Sequence, residues 1–138
     1  MKQMSEPNSQ HALPAMVTDA KGVTVWTDRT WPEEIRGGML LSPRIDCSSL
    51  RLRKSEPGYR TGWHVAGDAT LIIVRCGQMK LILRDGSERT FGPGEAFIAA
   101  DDVPDGQEFD TDRHGHRAEV VGDETLEAIH IKLSASAS

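Results

Sequence analysis

Five histidines stand in this 138-residue chain, and two places hold them where they could do chemistry. His64 follows Trp63 and precedes an apolar stretch. His114 and His116 flank Gly115, so in an extended chain both imidazoles project to one side and form half of a metal site. An imidazole is the side chain suited to proton transfer near neutral pH. Asp101 and Asp102 close an apolar segment, and a carboxylate beside an imidazole orients it and supports its proton. Adjacent strand residues face opposite ways, so only one of these two acids can share a histidine's side. Tyr59, the single tyrosine, is a candidate proton donor. The same residues have structural readings. His64 suits a hydrogen-bonded core, His114 a mobile surface loop, the two acids a solvated loop, and Tyr59 half-exposed packing.

The elements that must hold these groups are short. Turn signals at Arg84-Asp85-Gly86-Ser87, Gly92-Pro93-Gly94 and Gly122-Asp123-Glu124 cut the chain into apolar or alternating runs. They predict strands over 23–27, 39–41, 45–52, 60–65, 69–76, 79–84, 95–100, 116–121 and 126–133. No segment keeps a helical apolar period, apart from one helical turn expected over 31–36 with Pro32 in its first position. Over 69–76 both alternating faces are apolar, as for a strand inside a double-layered structure. One all-β domain over 22–133 is expected, a sandwich or barrel. A disordered or arm-like segment over 1–21 should precede it, and a frayed end over 134–138 should follow.

Composition narrows the classes. A formal charge of −5 argues against nucleic-acid and anionic-membrane partners, which usually meet a basic face. Two cysteines, in different predicted strands, suit a reducing compartment rather than a disulfide framework. With no secretory pattern near the start and no apolar run of bilayer length, a cytoplasmic location is expected.

Two stretches carry a family likeness. The first runs Gly58, five residues, His64, Val65, Ala66, then Thr70, six residues and Gly77. The second is Gly92-Pro93-Gly94-Glu95 leading into Ala96-Phe97-Ile98-Ala99-Ala100. Together they resemble the two motifs of the cupin superfamily, which implies a single cupin-type jelly-roll β-barrel and a homodimer. In that family His-x-His, a Glu and a later His hold a divalent metal. Here the second His position is Ala66, the Glu position is Thr70 and the later His position falls on Asp105. A subgroup of small bacterial cupins is similar through Trp63-His64, Asp101 and His116.

The resemblance implies His64, Asp101, His116 and Tyr59 as catalytic residues. It implies Trp63, Thr70, Ile72, Ile98 and Asp105 as substrate-binding ones. No cofactor is expected. The alternative is Fe, Mn, Ni or Zn on His64, His116 and Asp101. Three functions follow: a metal-independent isomerase, cyclase, dehydratase or lyase; a non-catalytic sugar or metabolite binder; and a metal-dependent dioxygenase. Six acids within 101–112 fail the calcium-loop spacing and are read as a flexible lid. His130 and Lys132 share a strand face and are expected to meet solvent or an interface.

Overall fold

The computed structural model describes residues 10–135. Eleven strands form two facing sheets and a small ribbon. The larger sheet has the order β2-β1-β9-β6-β11-β5, from β1 (Gln10–Thr18), β2 (Thr24–Pro32), β5 (Cys47–Ser55), β6 (Thr70–Cys76), β9 (Ala96–Ala99) and β11 (Leu126–Leu133). The smaller has the order β10-β7-β8, from β7 (Gln78–Ile82), β8 (Glu88–Phe91) and β10 (Arg117–Val121). The ribbon pairs β3 (Glu34–Arg36) with β4 (Met39–Leu41).

The segment 58–64 extends the smaller sheet beside β10. Bridges join Arg60 to Glu119 and His64 to His116, and the Thr61 N–H donates to the Ala118 carbonyl at 2.9 Å. The strand predicted over 60–65 is thus reduced to isolated bridges on either side of Gly62. With this segment counted, the facing orders are β5-β11-β6-β9 and 58–64-β10-β7-β8. Each sheet interleaves strands distant in sequence, the connectivity of a jelly roll. The all-β jelly-roll expectation therefore rests on strand order itself.

Alternation builds the interior. Met16, Ile72, Val74, Phe97 and Ala99 of the larger sheet face Met79, Leu81, Phe91, Ala118 and Val120 of the smaller. The intervening residues of the larger sheet, Ala15, Ile98 and Leu133, pack with Ala69 in a second cluster on its outer face. Strands buried on both faces lose alternation and read as continuous apolar runs.

Three differences from the sequence reading have simple causes. The first concerns 1–21: residues 1–9 lie outside the described range, but Gln10–Thr18 is a full strand. It pairs antiparallel with β2 and parallel with β9, and Met16 is fully buried. Its Pro14 is accommodated because partners on either side anchor the rest of the strand. The second is the helical turn expected over 31–36, where β2 ends at Pro32 and β3 begins at Glu34. Pro32 sits on an edge strand, where a missing N–H is tolerated. The third is β8, absent from the predicted strands because Glu88, Arg89 and Thr90 are exposed and only Phe91 is buried.

Candidate functional site

A cavity of about 370 Å³ opens between the sheets. Met16, Ile72, Met79, Leu81, Phe97 and Ala99 give it an apolar floor, while His64, His116, Thr70 and Tyr59 stand on its walls.

One wall is a backbone device. The His64 N–H donates to the His116 carbonyl at 3.0 Å and the His116 N–H returns to the His64 carbonyl at 2.8 Å. This reciprocal pair locks the two residues side by side, with ring centroids 4.5 Å apart. Gly115 makes the approach possible. Its φ is +88°, and a Cβ there would lie 2.4 Å from the His64 carbonyl oxygen. No residue with a side chain fits that space or that backbone conformation without strain.

Behind His116 stands Asp101, with no exposed surface. His116 Nδ1–H donates to Asp101 Oδ2 at 2.7 Å and the Thr24 hydroxyl donates to the same oxygen at 2.8 Å. The Ala66 N–H donates to Oδ1 at 3.0 Å. Burial alone pushes this carboxyl up. The His116 hydrogen bond and charge, with the Thr24 and Ala66 donors, outweigh it and hold Asp101 below the ordinary carboxylate range. With Nδ1 committed to Asp101, Nε2 is the nitrogen His116 has left for a ligand.

His64 differs. Its Nδ1–H donates to the Gly62 carbonyl at 3.0 Å, which leaves its Nε2 lone pair free. Desolvation lowers its pKa below that of an ordinary imidazole and His116 adds to the effect, against the Gly62 hydrogen bond and the Asp101 charge. A neutral imidazole with a free Nε2 is the form a general base needs.

Some expected residues fall elsewhere. Asp101 stands behind His116 and does not line the cavity. Trp63 points the other way from His64, as adjacent extended residues must, and stacks under Arg84, whose guanidinium carbon is 3.7 Å from its ring centroid. Ile98 faces the outer cluster, because Phe97 and Ala99 take the inward positions. Asp105 is exposed on a separate shallow depression with Lys21 and Arg113. The acidic run does not cover the cavity, since none of 102–113 lines it. His114 is no mobile-loop residue: it is 1% exposed, accepts the Asp110 N–H at Nδ1 (2.9 Å), and its carbonyl accepts from Arg84 (2.8 Å). It pins the acidic loop to the barrel.

Other residues were missed. Ser49, Arg51 and Arg53 of β5, and His130 and Lys132 of β11, line the cavity. The expectation that His130 and Lys132 face solvent or an interface fails because they continue the face of buried Ala128. The sequence signal was that alternation: positions 128, 130 and 132 share one face with a core alanine.

The donor set does not suit the metal of the family motif. The first-motif positions 66 and 70 are Ala and Thr, and both carboxylate oxygens of Asp101 are already taken by protein donors. Among the described residues no group of three His, Cys, Asp or Glu side chains converges. Two imidazoles alone make a weak divalent site.

Among the described residues no helix is long and apolar enough to cross a membrane. No family model and no curated protein matches the chain. Solved structures similar to it include a cupin-2 conserved barrel domain protein from Salinispora arenicola, at 18% identity and TM-score 0.44 over 64% of each chain. A double-stranded β-helix domain protein from Klebsiella pneumoniae matches at 17% identity and TM-score 0.47, over 64% of this chain and 65% of that one. A cupin domain protein from Bordetella pertussis matches at 15% identity and TM-score 0.46, over 90% of this chain and 94% of that one. At such identities the likeness concerns fold and carries no activity.

Proposed function

We propose that this cupin-type jelly roll binds a small molecule between its sheets and moves a proton on it, as an isomerase, cyclase, dehydratase or lyase does. The observation that carries the reading is the locked His64 and His116 pair on the cavity wall, with Asp101 buried behind one member only. In the proposed step His64 Nε2 takes a proton from the ligand. His116, its tautomer set by Asp101, accepts a ligand O–H at its Nε2 lone pair and so orients the ligand against His64. Asp101 is a positioning residue, and Tyr59 stands at the cavity rim, 47% exposed.

Hydrogen exchange in D2O tests this whatever the product is. The purified chain is incubated with a panel of small carbonyl and hydroxy compounds, and loss of C–H signal beside the carbonyl is followed by NMR. Exchange that disappears in His64→Ala and survives in Trp63→Phe supports the reading. Exchange undiminished in His64→Ala removes His64 as the base.

A second reading is favoured by the extent of the apolar floor: the cavity binds and does not react. Saturable ligand binding with no exchange on any bound compound selects that reading.

A further inference from the structure

We infer that the cavity takes an anion: a small organic molecule whose carboxylate or phosphate group rests on Arg51, Arg53 and Lys132 at the rim while its apolar part enters toward Met16, Ile72 and Phe97. This rests on the reading of the cavity as a small-molecule site and names the chemistry of what enters.

The charge pattern is one-sided. The chain is acidic overall, with 21 Asp and Glu against 16 Lys and Arg. Yet no Asp or Glu is among the residues that line this cavity, whereas Arg51, Arg53 and Lys132 are, together with His64, His116 and His130. Strand register explains how they gather. His130 pairs with Arg51 on one side and Ile72 on the other, Lys132 pairs with Ser49 and Thr70, and Ala128 pairs with Arg53. Three cations and a histidine thus occupy neighbouring rows on one face of β5 and β11. Among the described residues none of Arg51, Arg53 and Lys132 has a carboxylate within ion-pair distance, although six such pairs occur elsewhere in the fold. Like charges gathered across paired strands oppose folding. A concave, partly apolar site lined by one sign of charge concentrates the opposite sign.

The array is also held ready. Arg53 Nε donates to Ser55 Oγ at 3.0 Å, and one of its terminal nitrogens lies 3.5 Å from His130 Nε2. Its guanidinium carbon sits 5.4 Å from the Tyr59 ring centroid. These contacts fix the guanidinium plane and leave the second terminal nitrogen to donate a charge-assisted hydrogen bond to an oxyanion. The anion-binding rim and the histidine pair line the same cavity, so a ligand held by its anionic group at the rim presents its body to His64.

Calorimetric titration of the full chain with three probes that share a benzene ring tests the inference: benzoate, phenyl phosphate and benzyl alcohol. At least one anion should bind saturably, about tenfold or more tighter than the neutral alcohol, and weaken as salt is raised. The tighter anion identifies the source as a carboxylate or a phosphate ester. Arg51→Gln, Arg53→Gln and Lys132→Gln should each weaken binding about tenfold. Lys54→Gln, which removes the same charge from the outward face of β5, should leave it unchanged. Circular dichroism and melting check that each variant folds, and three variants on two strands keep the test valid if one fails. Equal binding of alcohol and anions, no saturable binding of either anion, or indifference to all three substitutions overturns the inference. Anions that bind wild type and His64→Ala alike, with no C–H exchange on any compound, remove the proton-transfer reading and leave this one standing. Exchange that depends on His64 but not on Arg51, Arg53 or Lys132 does the reverse.

Discussion

The two sides of the cavity are built on opposite rules. On the His116 side both Asp101 oxygens have donors, the two histidine backbones clasp each other, and Asp101 and His116 are buried. On the β5 and β11 side, positive groups crowd together without a carboxylate and stay partly open to water, with Arg51 exposed. A buried polar group must be satisfied by the protein itself. A half-exposed cation is satisfied by water until a ligand replaces it. The first side is part of the folded structure, and the second is a surface waiting for a counter-charge. Damage to the first should therefore cost stability, and damage to the second only affinity.

The sharpest way to break that contrast is Gly115→Ala. A Cβ 2.4 Å from the His64 carbonyl, at a φ of +88°, combines backbone strain with overpacking and should cost on the order of 4 kcal/mol. Chemical denaturation reads it. Gly94→Ala is the control, since its φ is +86° but nothing lies within 4 Å. It should cost about 1 kcal/mol from strain alone. If the two cost the same, the His64–His116 clasp is looser than described.

Next in size is Asp101→Ala, which strands the Thr24 hydroxyl, the His116 Nδ1–H and the Ala66 N–H. A loss of about 3 kcal/mol is expected. Asp101→Asn keeps the shape but offers an amide N–H where at least one donor now points. It should spare most of the stability and abolish proton exchange through the wrong His116 tautomer. Arg51→Gln on the opposite side should stay within about 0.5 kcal/mol of wild type. An Arg51 variant as unstable as Asp101→Ala would erase the distinction between the sides.

The smallest effect is in pH. His64 and His130 both have pKa values below the ordinary 6.5, chiefly through burial, with Arg53, Arg51 and Lys132 adding to it for His130. The unfolded chain then binds more protons in that window, so stability falls as pH drops below about 6.5. Asp101, held below the ordinary 3.8, contributes stability above that value that is lost on further acidification. Melting temperature should decline from pH 7 to 5, with a shallower slope in His130→Gln. A flat profile for the native chain in that range would show that neither histidine is desolvated as described. Any His64-dependent exchange should keep its rate below pH 6.5, where an ordinary imidazole would already be protonated.

Much of this was legible in the residues. Strands 39–41 and 126–133 stand where alternation and turn signals place them, and the Gly-Pro-Gly frame marks the segment leading into β9. The family likeness marks His64, Asp101 and His116 and leaves Asp101 to pair with either histidine; the structure pairs it with His116. Local pattern failed where a neighbour decides a residue's surroundings. Gln10–Thr18 looks too polar for an inner strand, yet β2 and β9 cover it on either side. Trp63 and Ile98 were placed inward by motif position, but each adjoins a residue that takes the inward direction. His114 reads as a loop residue until Arg84 and Asp110 close around it.

The chain order of Gly, Pro and apolar runs determined by itself that the protein is all-β, with two-faced apolar strands and a histidine at the first motif. Those are consequences of backbone preference and periodicity, which act between neighbours in sequence. Only the tertiary structure decided that Arg51 and Arg53 would meet His130 and Lys132 across β5 and β11, some 80 residues apart in the chain. It also decided that Gly115 would let two histidine backbones touch. Charge convergence and close approach are set by strand register, and register is fixed only when both strands are in place.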